Sequence, residues 1–300
     1  MLVRYFLALL FFLASIVGLR ADAVSELASF SVFSGVNLSE LKSDAKSLRG
    51  PAMGNSRFQS VQTVWVAPGS PAQVGAAIRN FNPSGHSDLH VLLHSNGSNF
   101  SQLNNLPNGG AVQWLKDATE KKSNELQISR EEAAKSGPFA QFWSGILSSR
   151  SSAGVFGQPS YDHTGKNIRP GEEVNSMLGQ QGKIRQRFSG VIGSGGEKYW
   201  ELLDVDKKGV LTLGASFTKG MQSADVLYYA SGGYYAAITL YQFWPVEVDG
   251  KSSTLVWRGD LVSSAELADL RGVERLGSES ALIRDVARSV RALRSDSSRH

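Results

Sequence analysis

Six runs of apolar, β-branched or aromatic residues crowd the stretch from 184 to 262, and turn chemistry separates each from the next. The runs cover 184–192, 198–205, 210–217, 226–230, 234–244 and 253–262. Between them lie Gly193-Ser194-Gly195-Gly196, Asp206-Lys207-Lys208-Gly209, Lys219-Gly220, Ser231-Gly232-Gly233 and Asp249-Gly250-Lys251. Gaps this short admit hairpins and exclude parallel crossovers, so the pattern predicts an antiparallel meander. A helix over 279–294 follows, capped by Ser278, with Leu282, Val286, Val290 and Leu293 on one face and Arg284, Asp285, Arg288 and Arg291 away from it. An antiparallel sheet needs one face covered, and this helix is the natural cover.

The first half of the chain adds fewer strands. A β-branched run at 61–66 ends at Ala67-Pro68-Gly69, and Ser70-Pro71-Ala72-Gln73 then starts a helix as a capping box with proline in its first turn. Its apolar character places this first strand at the edge of the sheet. A short second strand is expected near 89–93. Helices are expected at 111–122 and 138–150, a second capping box at Ser129 to Glu132, and a long Gly-, Ser- and Asn-rich excursion over 148–181 with a short helix near 174–178. A short helix within 36–48 stops at Gly50-Pro51. The expected fold class is α+β: an antiparallel meander sheet covered by a long C-terminal helix, with a helical and loop insertion after the first strand and helix. No internal repeat is visible.

Residues 1–23 carry a different signature. Arg4 precedes an apolar run of about fifteen residues, short of the ~20 that span a bilayer, and Ala21-Asp22-Ala23 fits a small-x-small cleavage site. The reading is a cleavable signal peptide, a working chain beginning near Val24, and an exported location, periplasmic or extracellular. No later run is long and apolar enough to span a membrane. The expected organisation is signal peptide 1–23, a loosely packed lead-in 24–57, one α+β domain over 58–295 with an insertion at about 85–182, and a polar tail 296–300.

Composition removes several chemistries. There is no cysteine, so neither disulfides nor thiolate metal sites exist and the core alone must hold the fold. The formal charge of +4 falls to +3 without Arg4, Arg20 and Asp22. No stretch interleaves basic and aromatic residues as nucleic-acid binders do, so no nucleic-acid partner is expected. The chain holds neither a Gly-x-Ser-x-Gly nucleophile elbow nor a His-Glu-x-x-His motif. Gly193–Gly196 joins two expected strands and so is not a phosphate loop.

His86, His90 and His94 have a spacing of four, which would let them share a metal on a helix. Pro83 and Gly85 before them and Asn96-Gly97 after them oppose a helix. On a strand, His90 and His94 would share a face with Asp88. Loop or edge histidines are the expectation, with neither metal nor cofactor. His163 reads as a loop residue. The pairs Glu131/Glu132 and Glu172/Glu173 are expected in water, since adjacent helical residues do not face one another, and Glu201 and Asp204 fall on opposite strand faces. Arg284, Arg288, Arg291 and Arg294 form a solvated face, or else a contact for anionic headgroups. Three Asn-x-Ser sequons begin at Asn37, Asn96 and Asn99.

Aromatic residues are concentrated in the last strands: Tyr228, Tyr229, Tyr234, Tyr235, Tyr241, Phe243, Trp244 and Trp257. Core packing accounts for many of them. The remainder suit a cavity wall, for which Trp65, Tyr229, Tyr241 and Trp257 are the candidate ligand-binding residues.

The element order, from the strand and capped helix at 61–78 to the closing meander and helix at 184–294, resembles the START-like (helix-grip) superfamily, which includes polyketide-cyclase-like and lipid-transfer domains. The resemblance spans roughly 58–295 and rests on pattern, without a diagnostic motif; the insertion at 85–182 departs from a minimal domain. It implies a cavity between sheet and C-terminal helix holding a lipid or other hydrophobic molecule. The expectation is an exported, non-catalytic binding protein for a hydrophobic or amphipathic small molecule. A cyclase or hydrolase working in the same cavity, and an envelope interaction protein using loops 95–110 and 148–181, are the alternatives.

Overall fold

A computed structural model describes residues 22–193 and 195–297, with side chains described through Asp296. Residues 1–21 of the expected signal peptide 1–23, Ser194 and the end of the expected polar tail, 298–300, lie outside the described residues. The chain runs through a helix at 22–30 (α1), α2 (Leu38–Ser43), β1 (Lys46–Arg49), β2 (Phe58–Pro68), α3 (Pro71–Arg79), β3 (Val91–Asn96), α4 (Gly110–Glu120), α5 (Arg130–Ala133), α6 (Phe139–Ala153), β4 (Tyr161–His163), β5 (Lys166–Ile168), α7 (Pro170–Gly179), α8 (Gly182–Arg187), β6 (Glu197–Val205), β7 (Lys208–Lys219), β8 (Gln222–Ala230), β9 (Tyr234–Val248), β10 (Lys251–Ser264) and α9 (Gly272–Ser297).

The main sheet is antiparallel, in the order β1-β2-β10-β9-β8-β7-β6-β3. Strands β6 to β10 form the expected meander. The first strand, β2, returns to pair with the last, β10, from Phe58↔Ser263 to Pro68↔Ser253. It is not the edge: β1 pairs along its other side. The long C-terminal helix α9 lies across β1 and β2 and touches α3. The fold class is the one expected, α+β with an antiparallel meander and a long C-terminal helix.

Both faces of the sheet are covered. Under α9 and α3, alternate residues Val61, Trp65 and Ala67 of β2 meet Val256 of β10, Tyr241 and Phe243 of β9, and Val286 and Val290 of α9. The opposite parity faces a larger core built with α1, α4, α6, α7 and α8, in which Trp143, Trp200, Trp257, Leu202, Leu211 and Leu255 are fully buried. One residue of shift along a strand exchanges these environments.

Several expectations need correction. The run at 184–192 is no strand: Ile184, Phe188 and Val191 repeat at helical spacing and all three are buried, so α8 forms and a loop follows. Gly195-Gly196 therefore leads into β6, and the expected hairpin between 184–192 and β6 is not formed. The lead-in at 24–57 is not loosely packed. Ala23, Leu27, Phe30, Phe33 and Leu41 are buried in the larger core, and Glu26 pairs with Arg187 and accepts from Trp244 Nε1. Helix α9 begins at Gly272, so Ser278 is internal, and its Oγ accepts from Gln59 Nε2 at 3.0 Å. Of the adjacent carboxylate pairs, one member each leaves water: Glu132 is bound by buried Arg150 at 2.6 Å, and Glu173 by Arg57 at 2.8 Å. Both capping boxes form as read, at Ser70 and Ser129.

Candidate functional site

Polar residues stud the α9-facing side of β3 and β6 to β10, where an apolar lining would be expected of a cover helix. Beneath α9 they floor a cleft of about 310 Å³. His94 comes from β3, Tyr199 and Glu201 from β6, Ser216 from β7, Asp225 from β8, Thr239 and Tyr241 from β9, and Arg258 from β10. The opposite wall is largely apolar: Ile78 of α3, Phe81, Pro83 and Leu89 of the following loop, and Leu293 of α9.

The floor is a connected set of hydrogen bonds. His94 Nδ1 meets Glu201 Oε1 at 2.8 Å, and the imidazole stacks on the Tyr199 ring, 5.5 Å between centroids. Tyr199 OH donates to Asp225 Oδ1 at 2.5 Å, and Ser216 Oγ donates to Asp225 Oδ2 at 3.2 Å. Gly214 makes this geometry possible. It sits opposite Tyr199 in the ladder, and a Cβ there would lie 2.0 Å from Tyr199 Cζ, so only glycine lets the ring lie across β7 to reach β8. Beside this group, Arg258 grips Asp260 through Nε and Nη2 at 2.7–3.0 Å, Thr239 Oγ1 donates to the same carboxylate at 3.0 Å, and the guanidinium sits over the Tyr241 ring.

Burial sets the protonation of the floor. It pushes the Asp225 carboxyl up to about 6, helped by the charge of Glu201 and opposed by the Tyr199 and Ser216 hydrogen bonds and by Arg258. Tyr199 is held well above the usual phenol range by burial and then by the charge of Asp225, so it stays a donor. Burial alone would lower His94, but the hydrogen bond and charge of Glu201, with Asn96 and Asp225, outweigh it and raise the imidazole. Tyr241 is pushed up to about 12, again by burial. The cleft thus combines a carboxyl titrating near neutrality, a fixed phenol donor and an imidazole held towards its charged form. Such groups can orient a polar ligand or exchange a proton with one.

The four residues expected to line a cavity are divided by the sheet. Tyr241 lines the cleft. Trp65 is on the same face but beyond the cleft, in the wall of a neighbouring apolar pocket. Trp257 and Tyr229 are on the other face and must be withdrawn from the cleft. Trp257 packs on Phe30 and Phe188 and donates Nε1 to Gln62 Oε1 at 3.1 Å. Tyr229 is turned over by a bulge: Leu213 pairs with Tyr229 but Gly214 with Leu227, so Tyr228 is the extra residue and both tyrosines enter the larger core. There Tyr229 lies under Arg150, 4.2 Å from its guanidinium.

The histidine series does not converge. His86 Nε2 meets Asp296 at 3.0 Å, His90 caps a 3-10 turn at φ 56°, and only His94 enters the cleft. Among the described residues no group of three or more His, Asp or Glu side chains is placed to hold a metal ion. Sequence reading missed Tyr199, Asp225 and Arg258, and set Glu201 aside. The available signal was charge inside apolar alternation, as in Val256-Trp257-Arg258-Gly259-Asp260-Leu261.

No family model matches the chain, and no curated protein does. Among solved structures it is similar to one described as a START superfamily protein from Mycobacterium smegmatis, at 9% identity over 78% of this chain and 96% of that one, with a TM-score of 0.34. That likeness is too loose to carry a ligand or a site residue across.

Proposed function

We propose that this chain binds an amphipathic small molecule in the cleft between the sheet and α9. The observation that carries this reading is the cleft's two-sidedness: Ile78, Phe81, Leu89 and Leu293 face Tyr199, Asp225 and the His94–Glu201 pair across about 310 Å³. An apolar body would lie against the first wall. A head rich in hydrogen-bond donors would sit on Asp225 and Glu201, which Tyr199 and His94 hold in place through their own hydrogen bonds. The signal-peptide pattern of residues 1–23 supports an exported binder, and among the described residues no helix is long and apolar enough to cross a membrane.

Native mass spectrometry of protein from its own compartment tests this. A small-molecule adduct is expected in the wild type and should be depleted in Tyr199→Phe, which keeps the ring and removes the donor. Protein without any adduct, and without uptake from a total metabolite extract, overturns the reading.

A second reading is favoured by one specific observation, the coexistence of a carboxyl titrating at about 6 and an imidazole–carboxylate pair in the same cleft. Cyclase or hydrolase chemistry would use them as acid and base. The same adduct decides: a binder returns the molecule with its mass unchanged, whereas an enzyme converts it, and conversion would cease in Asp225→Asn.

A further inference from the structure

Ile78 and Leu293 line the cleft on one side and a second cavity, of about 340 Å³, on the other. The second cavity lies where β2 ends and β10 begins, under the last turns of α9. Its wall is apolar: Trp65, Ala67, Val74 and Leu293 are buried, and Pro68 also lines it. Its rim is basic, with Lys42, Lys251 and Arg294. Lys42 pairs with Asp249 at 2.7 Å. Arg294 is oriented by donating Nη2 to the carbonyls of Lys42 and Ser43 at 2.7 and 3.1 Å, and it makes no ion pair among the described residues. Lys251 makes no ion pair among the described residues and is exposed.

The two cavities therefore differ in sign. In the cleft, Glu197, Glu201 and Asp225 stand against His94 and Arg79, while Arg258 is matched by Asp260. An anion would be opposed there by the floor. At the second cavity, the charged residues lining the apolar hole, among the described residues, are Lys42, Lys251 and Arg294, with Asp249 paired to Lys42. We propose that this cavity is a separate site for a free, single-chain carboxylate amphiphile, a fatty-acid-like anion. Its chain lies against Trp65, Ala67 and Val74, and its carboxylate meets Lys251 and the pre-oriented guanidinium of Arg294. Charge-assisted hydrogen bonds from a guanidinium suit a carboxylate in particular. The site does not depend on what occupies the cleft.

Calorimetric titration of the purified protein with dodecanoate, dodecyltrimethylammonium and dodecyl maltoside, each below its micellar concentration, tests this. Dodecanoate should bind about ten-fold tighter than the cationic amphiphile, a difference of ~1.4 kcal/mol. Lys251→Glu, at an exposed position without an ion pair among the described residues, should weaken dodecanoate by a similar factor with an unchanged melting temperature, and Ala67→Leu should weaken it by filling the wall. Asp225→Asn should leave it unchanged. Equal affinity for all three amphiphiles, or no effect of Lys251→Glu, overturns the proposal. So does weakening by Asp225→Asn alone, which would move the chain into the cleft. Sedimentation with phosphatidylglycerol vesicles but no uptake of dodecanoate would assign the basic rim to a membrane surface and equally overturn it.

Discussion

The two faces of the sheet are made by the same strands with opposite residue sets. On the far face, Trp143, Trp200 and Trp257 are buried with leucines from β6, β7 and β10 beneath five helices, and the one buried cation named there, Arg150, is paired with Glu132, while the Tyr229 hydroxyl is buried without a hydrogen-bond partner among the described residues. On the face under α9, the apolar cluster is built from β2, β10, β9, α3 and the cover helix, and from Arg258 to His94 the floor carries ionisable groups. Ionisable groups facing a cleft destabilise unless other contacts compensate. The far face supplies those contacts, which leaves the near face able to carry Asp225 in a state that packing alone would not choose.

The largest test of this division is Trp257→Ala. Removing a fully buried indole that also donates to Gln62 should cost about 3–5 kcal/mol, read from urea unfolding. A cost no greater than that of an equivalent change under α9 would abolish the contrast between the faces. Asp225→Asn should act in the opposite direction. The folded carboxyl lies near 6, above its ordinary value of 3.8. Its proton is therefore bound more tightly in the folded chain, and its contribution is full below about pH 4 and lost as pH rises through 6. The amide avoids that loss, so the variant should be more stable than wild type at pH 7.5, by up to about 3 kcal/mol, with the gain vanishing below pH 4. A pH-independent difference would show that Asp225 is not held in this way. Smallest, Ser70→Ala should cost about 1 kcal/mol by removing the cap that starts α3, the helix forming part of the cleft wall. An equal loss of ligand affinity would show that the wall is set by that cap and not by packing against Phe243.

Much of the fold was legible as local pattern. Strands β6 to β10 follow from alternation and turn residues, and α3 and α5 from capping boxes whose partners are three residues apart. The segment at 184–192 misled because Ile184, Phe188 and Val191 satisfy a helical stripe within a run that is equally apolar by count. The lead-in misled because Phe30 finds its partners on Phe188, Trp244 and Trp257, far along the chain, and Leu27 and Phe33 are buried in the same core. The cleft was nearly illegible. Tyr199 and Asp225 are 26 positions apart and meet only because Gly214 opens the strand between them.

Periodicity, turn chemistry and capping are encoded within a few residues, and they suffice for an α+β chain with an antiparallel meander and a closing amphipathic helix. Which face each strand residue joins is a different kind of information. It depends on register and on the bulge at Tyr228, where one extra residue sends Tyr229 into the core while Asp225 remains in the cleft. The aromatic residues were visible from the start, but a side chain's identity does not state its face. Only the pairing of β2 with β10, and the helices closing on both sides, separated the tryptophans that hold the fold from the acid, phenol and imidazole that face a ligand.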